Sequence, residues 1–339
     1  MNDPYKGLQQ NVVNEAPTQP IMDMLAKILW AIRNHKKIMV GISGGSDSDI
    51  MLDAISKIDV EKKVTYVFFN TGLETDATKR HLKYLEDKYG IKIEDVKPIM
   101  PIPICCKKYG VPFWSKQVSE NIYRLQRHGF KWEDRPFSEL ILEYPKCTSP
   151  LKWWCNEYRK DNGDPSSFNI SYVRGLTEFI LANPITFKVS DNCCHYAKKE
   201  PAKKFVSSTQ CDMNCVGVRK AEGGKRATAI KTCYTQALAG PDQYRPLFWF
   251  TDADKAEYDS HYGIEHSDCY KVWGMKRTGC AGCPLGKDFE SELMLAEKYE
   301  PKFHRAMLNV FGASYDYTRR FLEFRSQMNI IEKGEGQAS

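Results

Sequence analysis

The sequence predicts an α/β protein: a doubly wound, mostly parallel sheet with a cysteine-rich, largely helical C-terminal part. Three observations carry this. Short runs of β-branched and aromatic residues alternate with segments of helical apolar spacing through the first third of the chain. A glycine–serine loop stands between the first such run and the helical segment after it. Cysteines concentrate beyond Asp191, and the chain closes on charged segments of helical spacing. Alternation of strand and helix argues for parallel pairing, because a parallel crossover needs a helix's length of chain.

Taken in order, residues 1–20 are polar and irregular and read as a flexible arm. Ile21, Met24, Leu25, Ile28, Leu29 and Ile32 then share one helical face. KIMVGI (Lys37–Ile42) reads as a short buried strand, and Ile50, Met51, Ala54 and Ile55 return to helical spacing. VTYVFF (Val64–Phe69) is a second strand. Thr75–Tyr89 reads as a helix closed by Gly90, which suits a left-handed C-terminal cap. IKIEDV (Ile91–Val96) is a third strand. The pattern loosens from Pro98 to Pro145, Arg159–Ser167 is a loop, and FNISYVRG (Phe168–Gly175) reads as a strand leading into a turn. Phe289–Met328 reads as helices. The chain thus divides into the arm (1–20), an α/β domain (21–250), a helical part with a CxxC pair (251–328) and a disordered tail (329–339). No internal repeat or sustained heptad is present.

Composition narrows the class. Of 339 residues, 42% are hydrophobic and 27% charged, with a mean hydropathy of −0.52. That is enough apolar residue for a large core, and too little net charge for a disordered polyelectrolyte. No stretch approaches the ~20 apolar residues of a membrane span. The most hydrophobic helical segment, Ile21–Ile32, is broken by Asp23 and Lys27. The opening MNDPYKG has neither the basic nor the apolar region of a secretory signal, so the expectation is a cytoplasmic chain with no membrane partner. A net charge of +6 admits an anionic ligand or a nucleic acid without requiring one. Twelve cysteines without a signal point to metal binding or redox chemistry rather than disulfides. Cys105, Cys106, Cys155 and Cys269 read as small buried hydrophobes.

The first chemical signal is Ser43-Gly44-Gly45-Ser46-Asp47-Ser48, set between a strand and a helix. Two glycines let the backbone turn sharply and approach a ligand. The helix start offers unpaired N–H groups and the positive end of its dipole, and Ser43 and Ser48 add hydroxyls. Neither the Gly-Lys-Ser/Thr ending of a Walker loop nor GxGxxG is present. The bland alternative is a flexible Gly–Ser turn. The second signal is Cys193-Cys194 with Cys280-x-x-Cys283, whose turn Gly279 and Gly282 supply. Thiolates are soft ligands for iron–sulfur clusters, zinc or copper(I), and four suffice for a [4Fe–4S] centre. Zinc and a reduced, unliganded set are the alternatives. Cys211, Cys215 and Cys233 could supply a ligand, form a separate small site or be plain thiols. His195 reads as a polar helix residue.

SGGSDS resembles the SGGxDS signature of the PP-loop superfamily, the ATP pyrophosphatases and the sulfonucleotide (PAPS/APS) reductases, which share an adenine nucleotide alpha hydrolase-like fold. FFNTGLETDAT (Phe68–Thr78) is similar to the reductases' DTGxExxxT, with Asn70 in place of the usual Asp. CTSPLK (Cys147–Lys152), VSDNCCHYAKKEP (Val189–Pro201), GVRKAEGGKR (Gly217–Arg226) and CAGCPLG (Cys280–Gly286) resemble further segments of that family, in family order. The resemblance implies an adenine nucleotide across the carboxyl ends of the strands. Ser43, Gly44, Gly45, Asp47 and Ser48 would hold phosphates, with Gly72 near the nucleotide. Lys152, Arg219 and Arg226 would be cationic partners, and Glu222 would orient one of the arginines. A [4Fe–4S] cluster on Cys193, Cys194, Cys280 and Cys283 is implied likewise.

One departure decides between activities. The reductases carry a late cysteine that attacks the sulfate sulfur, and here no cysteine follows Cys283. The expectation is therefore an iron–sulfur PP-loop enzyme that takes ATP with Mg²⁺ and cleaves it to AMP and pyrophosphate, in sulfur transfer or nucleic-acid modification. DNA phosphorothioation sulfurtransferases and some tRNA thiolation enzymes combine these features. A PAPS/APS reductase and a non-catalytic nucleotide-binding accessory protein are the competing readings. Lys107-Lys108, Lys198-Lys199 and Lys203-Lys204 are compatible with a nucleic acid or a partner protein. No residue is singled out as catalytic.

Overall fold

The computed structural model describes residues 6–222, 229–276, 278, 280–286 and 288–335. Two compact units emerge, each made from two stretches of chain. Unit 1 comprises Met1–Ile99 and Ala197–Ala281, and unit 2 comprises Met100–Tyr196 and Gly282–Ser339. In chain order, α1 (Lys6–Asn14), α2 (Gln19–Asn34), β1 (Ile38–Gly41), α3 (Ser46–Ile58), β2 (Val64–Phe69), α4 (Asp76–Tyr89) and β3 (Ile93–Val96) open unit 1. Unit 2 follows with α5 (Ile102–Tyr109), α6 (Lys116–Gln126), α7 (Phe137–Glu143), α8 (Thr148–Trp154), α9 (Leu176–Ala182) and the short α10 (Asn192–Cys194). After a π-helical turn (His195–Lys199), α11 (Glu200–Thr209), β4 (Met213–Cys215), β5 (Tyr234–Thr235), β6 (Asp242–Tyr244), α12 (Asp252–Tyr262) and α13 (Asp268–Lys271) complete unit 1. Finally, α14 (Phe289–Tyr299) and α15 (Pro301–Glu335) belong to unit 2.

The sheet of unit 1 has the order β3-β2-β1-β4-β6-β5, parallel throughout except for the antiparallel β5–β6 pair. Val40 lies opposite Tyr66 on one side and Cys215 on the other. The alternation of side chains sends Ile38, Val40, Tyr66 and Phe68 to one face, where α2, α3, Leu85 of α4 and Tyr258 of α12 cover them. Met39 and Val67 point the opposite way and meet Cys211 and Phe205 and Val206 of α11. Burial on both faces is why these strands read as unbroken apolar runs, and it makes the sheet doubly wound as expected. Strand order turns from β2 to β4 on either side of β1, so the crevice at the carboxyl ends of β1 and β4 is the topological switch point where such sheets bind ligands.

Local chemistry explains most boundaries. The Thr75 hydroxyl accepts the Thr78 N–H at 3.0 Å and starts α4, and Gly90, at φ 59°, ends it. The loosely patterned stretch after Pro98 holds three helices, α5 to α7. Two of them follow a proline directly, and Ser115 caps the third by accepting the Val118 N–H.

Three expectations fail. The polar arm contains α1, because Gln9 is buried and donates to the Ile58 carbonyl at 2.9 Å while Arg33 donates to its amide oxygen. Phe168–Gly175 forms a 3₁₀ turn over Ile170–Tyr172, not a strand. Asn169 there satisfies both the Tyr158 N–H and the Tyr158 carbonyl with its side chain. The tail is helical as far as Glu335, and residues 336–339 lie outside the described set.

Unit 2 is helical, and its core is aromatic: Phe113, Trp153, Trp154, Phe179, Tyr317 and Phe321 are all buried. Among the described residues no helix is long and apolar enough to cross a membrane. A tight backbone approach lies at Gly110, whose φ is 114° and where a Cβ would sit 2.4 Å from the Lys188 carbonyl. Gly129 has φ 70° but open space around it. Gly129→Ala should therefore cost about 1–2 kcal/mol for the left-handed backbone alone. Gly110→Ala should cost roughly twice as much or more, because the clash adds to the strain. Thermal unfolding of the two variants checks the order, and equal losses would contradict the close approach.

Candidate functional site

The loop after β1 is built by its own hydroxyls. Ser48 Oγ accepts the N–H of Gly45 at 3.1 Å and of Ser43 at 3.3 Å, and donates to the Gly45 carbonyl at 2.7 Å. Ser43 Oγ also accepts the Gly45 N–H, at 3.2 Å. Gly44 takes φ 68°, and a Cβ there would come within 2.9 Å of the Thr78 methyl. Gly45 is the N-cap of α3. The first amides of that helix, from Ser46 on, have no carbonyl within the helix to bond. Tyr270 Oη and Thr278 Oγ1 lie 3.1 and 3.3 Å from where a Gly45 Cβ would be, so they close one side of the loop.

Charge converges on the same turn. Asp47 Oδ1 lies 3.1 Å from Arg219 Nε and 2.8 Å from Lys255 Nζ. Lys255 also donates to the Ser46 hydroxyl. Arg219 follows β4 directly and donates from Nη1 to Asp252 Oδ1 at 2.8 Å. Glu222 accepts the backbone N–H of Arg219 at 3.3 Å, and among the described residues the partners of the guanidinium are Asp47 and Asp252. Arg219 is 9% exposed. Burial opposes its charge, but Asp252 and Asp47 outweigh burial and hold its pKa above the usual guanidinium value.

Ser43, Gly44, Gly45, Asp47, Ser48 and Arg219 thus meet in one crevice of unit 1. Gly72, at φ 78° and exposed, ends β2's following turn, and its N–H donates to Asn70 Oδ1 at 2.8 Å. Asn in place of Asp keeps that acceptor. Lys152 is exposed on α8 of unit 2, and Arg226 lies outside the described residues. Lys255 was not foreseen. Its only local mark is a place in α12, just after the Thr251–Asp254 capping box, which fixes the helix start but not its neighbour.

Behind the loop, a chain of buried groups anchors α3. Asp49, 1% exposed, takes His81 Nε2 at 3.0 Å and His266 Nδ1 at 2.9 Å on one carboxylate oxygen. The other nitrogen of His266 reaches Asp259 at 3.0 Å. Burial works against a charged His266, yet Asp259 and Asp49 outweigh it and push its pKa up to about 9. His81 and His266 also line a cleft of about 200 Å³ with Arg80, Tyr84, Asp268 and Lys271.

No disulfide joins any of the twelve cysteines. Cys280 belongs to unit 1, whereas Cys193, Cys194 and Cys283 belong to unit 2. Cys193 is hydrogen-bonded with Cys106 and Cys194, and Cys283 is near enough to act on it electrostatically. Its pKa is driven well up, first by the bond with Cys106. Cys106 was expected to be a plain buried hydrophobe; it is buried, but beside another thiol. The chemistry of this donor set suits a soft metal centre. Among the described residues no three ligating side chains are grouped as a metal site. Cys215 lies inside the sheet, and burial alone raises its pKa. Cys269 is buried against the Thr75 hydroxyl, at 3.5 Å.

Residues 37–126 match the family model of the phosphoadenosine phosphosulfate reductase domain. The resemblance read from the sequence is borne out over that stretch. An uncharacterized protein of Methanocaldococcus jannaschii is 23% identical over 251 residues, 74% of this chain. The chain spans 36% of that relative's length. Three solved structures are also similar. A phosphoadenylyl-sulfate (PAPS) reductase from Candida auris, in a phosphate complex, is 14% identical with a TM-score of 0.42, over 82% of this chain and 95% of that one. A U34-tRNA thiolase from Methanococcus maripaludis with its [4Fe-4S] cluster is 12% identical, TM-score 0.35, over 88% and 78%. An NH3-dependent NAD synthetase from Campylobacter jejuni is 9% identical, TM-score 0.36, over 91% and 96%.

The His266 geometry fixes a pH dependence. A histidine whose folded pKa is raised stabilises fully below its unfolded value of about 6.5 and loses that contribution as pH climbs toward 9. Stability should fall between those limits, and His266→Gln should flatten the slope. Denaturant midpoints across this range check it; an unchanged slope in the variant would contradict the network.

Proposed function

We propose that unit 1 binds the phosphates of ATP at the β1–β4 crevice and cleaves it to AMP and pyrophosphate in two displacements, an acceptor first taking the adenylyl group with loss of pyrophosphate and a second nucleophile, a sulfur donor or water, then displacing AMP. The observation that carries this reading is the pair of cations, Arg219 and Lys255, drawn onto Asp47 at the start of α3. A carboxylate repels phosphate, so Asp47 would act by orienting these two cations rather than by touching the anion. The helix amides and dipole supply the rest of the cradle. An incoming diphosphate would share Arg219 and Lys255 with Asp47, and the guanidinium's planar fork suits two phosphate oxygens.

In the reaction, an acceptor nucleophile would bond to the α-phosphorus as the bond to the bridging β-phosphate oxygen breaks. Negative charge then grows on the departing pyrophosphate, where Lys255, Arg219 and the α3 amides stabilise it. Mg²⁺ carried by the nucleotide would add to that neutralisation. Gly72 would lie by the nucleotide, and Lys152 and Arg226 remain proposed cationic partners. Cys193, Cys194, Cys280 and Cys283 are the proposed ligands of a [4Fe–4S] cluster serving sulfur transfer. The acceptor would be a nucleic acid or a protein-borne sulfur acceptor, in keeping with the +6 charge.

A second reading, sulfonucleotide reduction, is favoured by the reductase-domain match of residues 37–126. Incubation with ATP should release AMP and pyrophosphate, and incubation with adenylyl sulfate and thioredoxin should release no sulfite. Asp47→Ala should abolish turnover with an unchanged circular dichroism spectrum. Lys255→Ala should lower kcat/KM at least ~10-fold, about 1.4 kcal/mol of transition-state stabilisation. Sulfite release would favour the second reading, and tight nucleotide binding without products would make the protein an accessory. Full turnover in Asp47→Ala would remove the site from this crevice.

A further inference from the structure

Two hydroxyls from the last part of unit 1 press on the loop after β1. A side chain at Gly45 would meet three oxygens: Ser43 Oγ at 3.1 Å, Tyr270 Oη at 3.1 Å and Thr278 Oγ1 at 3.3 Å. The Thr278 hydroxyl, 3.5 Å from that of Tyr270, donates to the Gly44 carbonyl, also at 3.5 Å. Thr278 is 3% exposed. Tyr270 is half-buried in α13, which Ser267 caps by accepting the Cys269 N–H. Its ring lies 6.0 Å from that of His266, whose Nδ1 meets Asp49 of α3 at 2.9 Å. Contacts thus run from α3 through Asp49, His266 and Tyr270 back to Gly45, the N-cap of the same helix. Burial raises the Tyr270 pKa, while Thr278 and the N–H and hydroxyl of Ser46 act in the opposite sense. Lys255 donates to that same Ser46 hydroxyl.

We propose that Tyr270 and Thr278 are positioning residues of the phosphate cradle, holding Gly44, Gly45 and Ser46 in the turn whose amides meet the anion. This rests on the ATP reading of the crevice given above. Adjacent glycines lose more freedom on ordering than any other pair, and Gly44 sits at φ 68°. Amide dipoles bind an anion well only when the backbone holds them in place beforehand. Ser43 and Ser48 fix the turn through its own N–H groups. Tyr270 and Thr278 brace it from a distant segment, so neither has to touch the ligand to strengthen its binding.

The test is calorimetric titration of the full chain with inorganic pyrophosphate and with ATP, each with Mg²⁺, on the parent, Tyr270→Phe, Thr278→Val and Thr278→Ser. The Kd for both ligands should rise about 5- to 10-fold in Tyr270→Phe and in Thr278→Val, the loss expected for one hydrogen-bonding group. Thr278→Ser keeps the hydroxyl and should bind as the parent does. Thermal unfolding of the same variants separates the roles: a purely structural side chain would lower the unfolding temperature and leave the Kd of the folded protein unchanged. Parental Kd in both Tyr270→Phe and Thr278→Val overturns the assignment, and parental Kd in one removes that residue from it. Equal weakening in Thr278→Ser also overturns the role of the Thr278 hydroxyl. If Tyr270→Phe does not fold, the two Thr278 variants decide alone. A parent that binds pyrophosphate but leaves ATP intact counts against the proposed reaction, while the Kd comparison still decides the brace. A parent that binds neither ligand defeats both.

Discussion

The arginine after β4 sets the terms for the crevice. A guanidinium taken out of water is costly unless charge and hydrogen bonds meet it, and Arg219 is nearly buried. Asp47 and Asp252 meet it from two directions, the first at the start of α3 and the second at the start of α12. Removing either acid would leave a buried cation short of a partner. The pairing therefore ties the loop after β1, the segment after β4 and the start of α12 into one arrangement. Lys255, one turn into α12, lies beside Asp47 as well. Two cations and two carboxylates are thus matched at the head of α3.

What keeps α3 in position is a second set of buried carboxylates. Asp49 holds His81 of α4 and His266, while Asp53 takes the Tyr89 hydroxyl at 3.0 Å and that of Tyr258 in α12 at 2.7 Å. The two residues lie one helical turn apart and face the neighbouring helices. Asp47, at the head of the same helix, faces the crevice. One helix thus presents charge to the crevice at its start and to the scaffold along its length. Functional groups carried by an anchored helix stay where chemistry needs them, which loops alone do not ensure.

The cysteines obey a different constraint. Burial pushes the Cys105 thiol's pKa up, and the hydrogen bond with Cys106 does most to push up that of Cys193. The thiols of Cys106 and Cys193 meet because Gly110 lets two backbone segments come close, not because their residues are near in sequence.

The order of strands and helices was legible in the sequence because it depends on local periodicity. Val64–Phe69 is a strand with the expected bounds, and Gly90 caps α4 as its conformational freedom requires. The loop at Ser43–Ser48 was legible for the same reason: its glycines and hydroxyls act on their own backbone. Periodicity misled where polar side chains replace apolar ones as anchors. Gln9 helps to secure a helix whose apolar anchors are only Val12 and Val13 among the described side chains, and Asn169 serves as a backbone partner where a strand was expected. Only the tertiary structure brought Lys255 to Asp47 and Cys106 to Cys193. Those meetings depend on parallel pairing and on one close backbone approach between distant segments, and a single sequence does not write down which of its distant residues will touch.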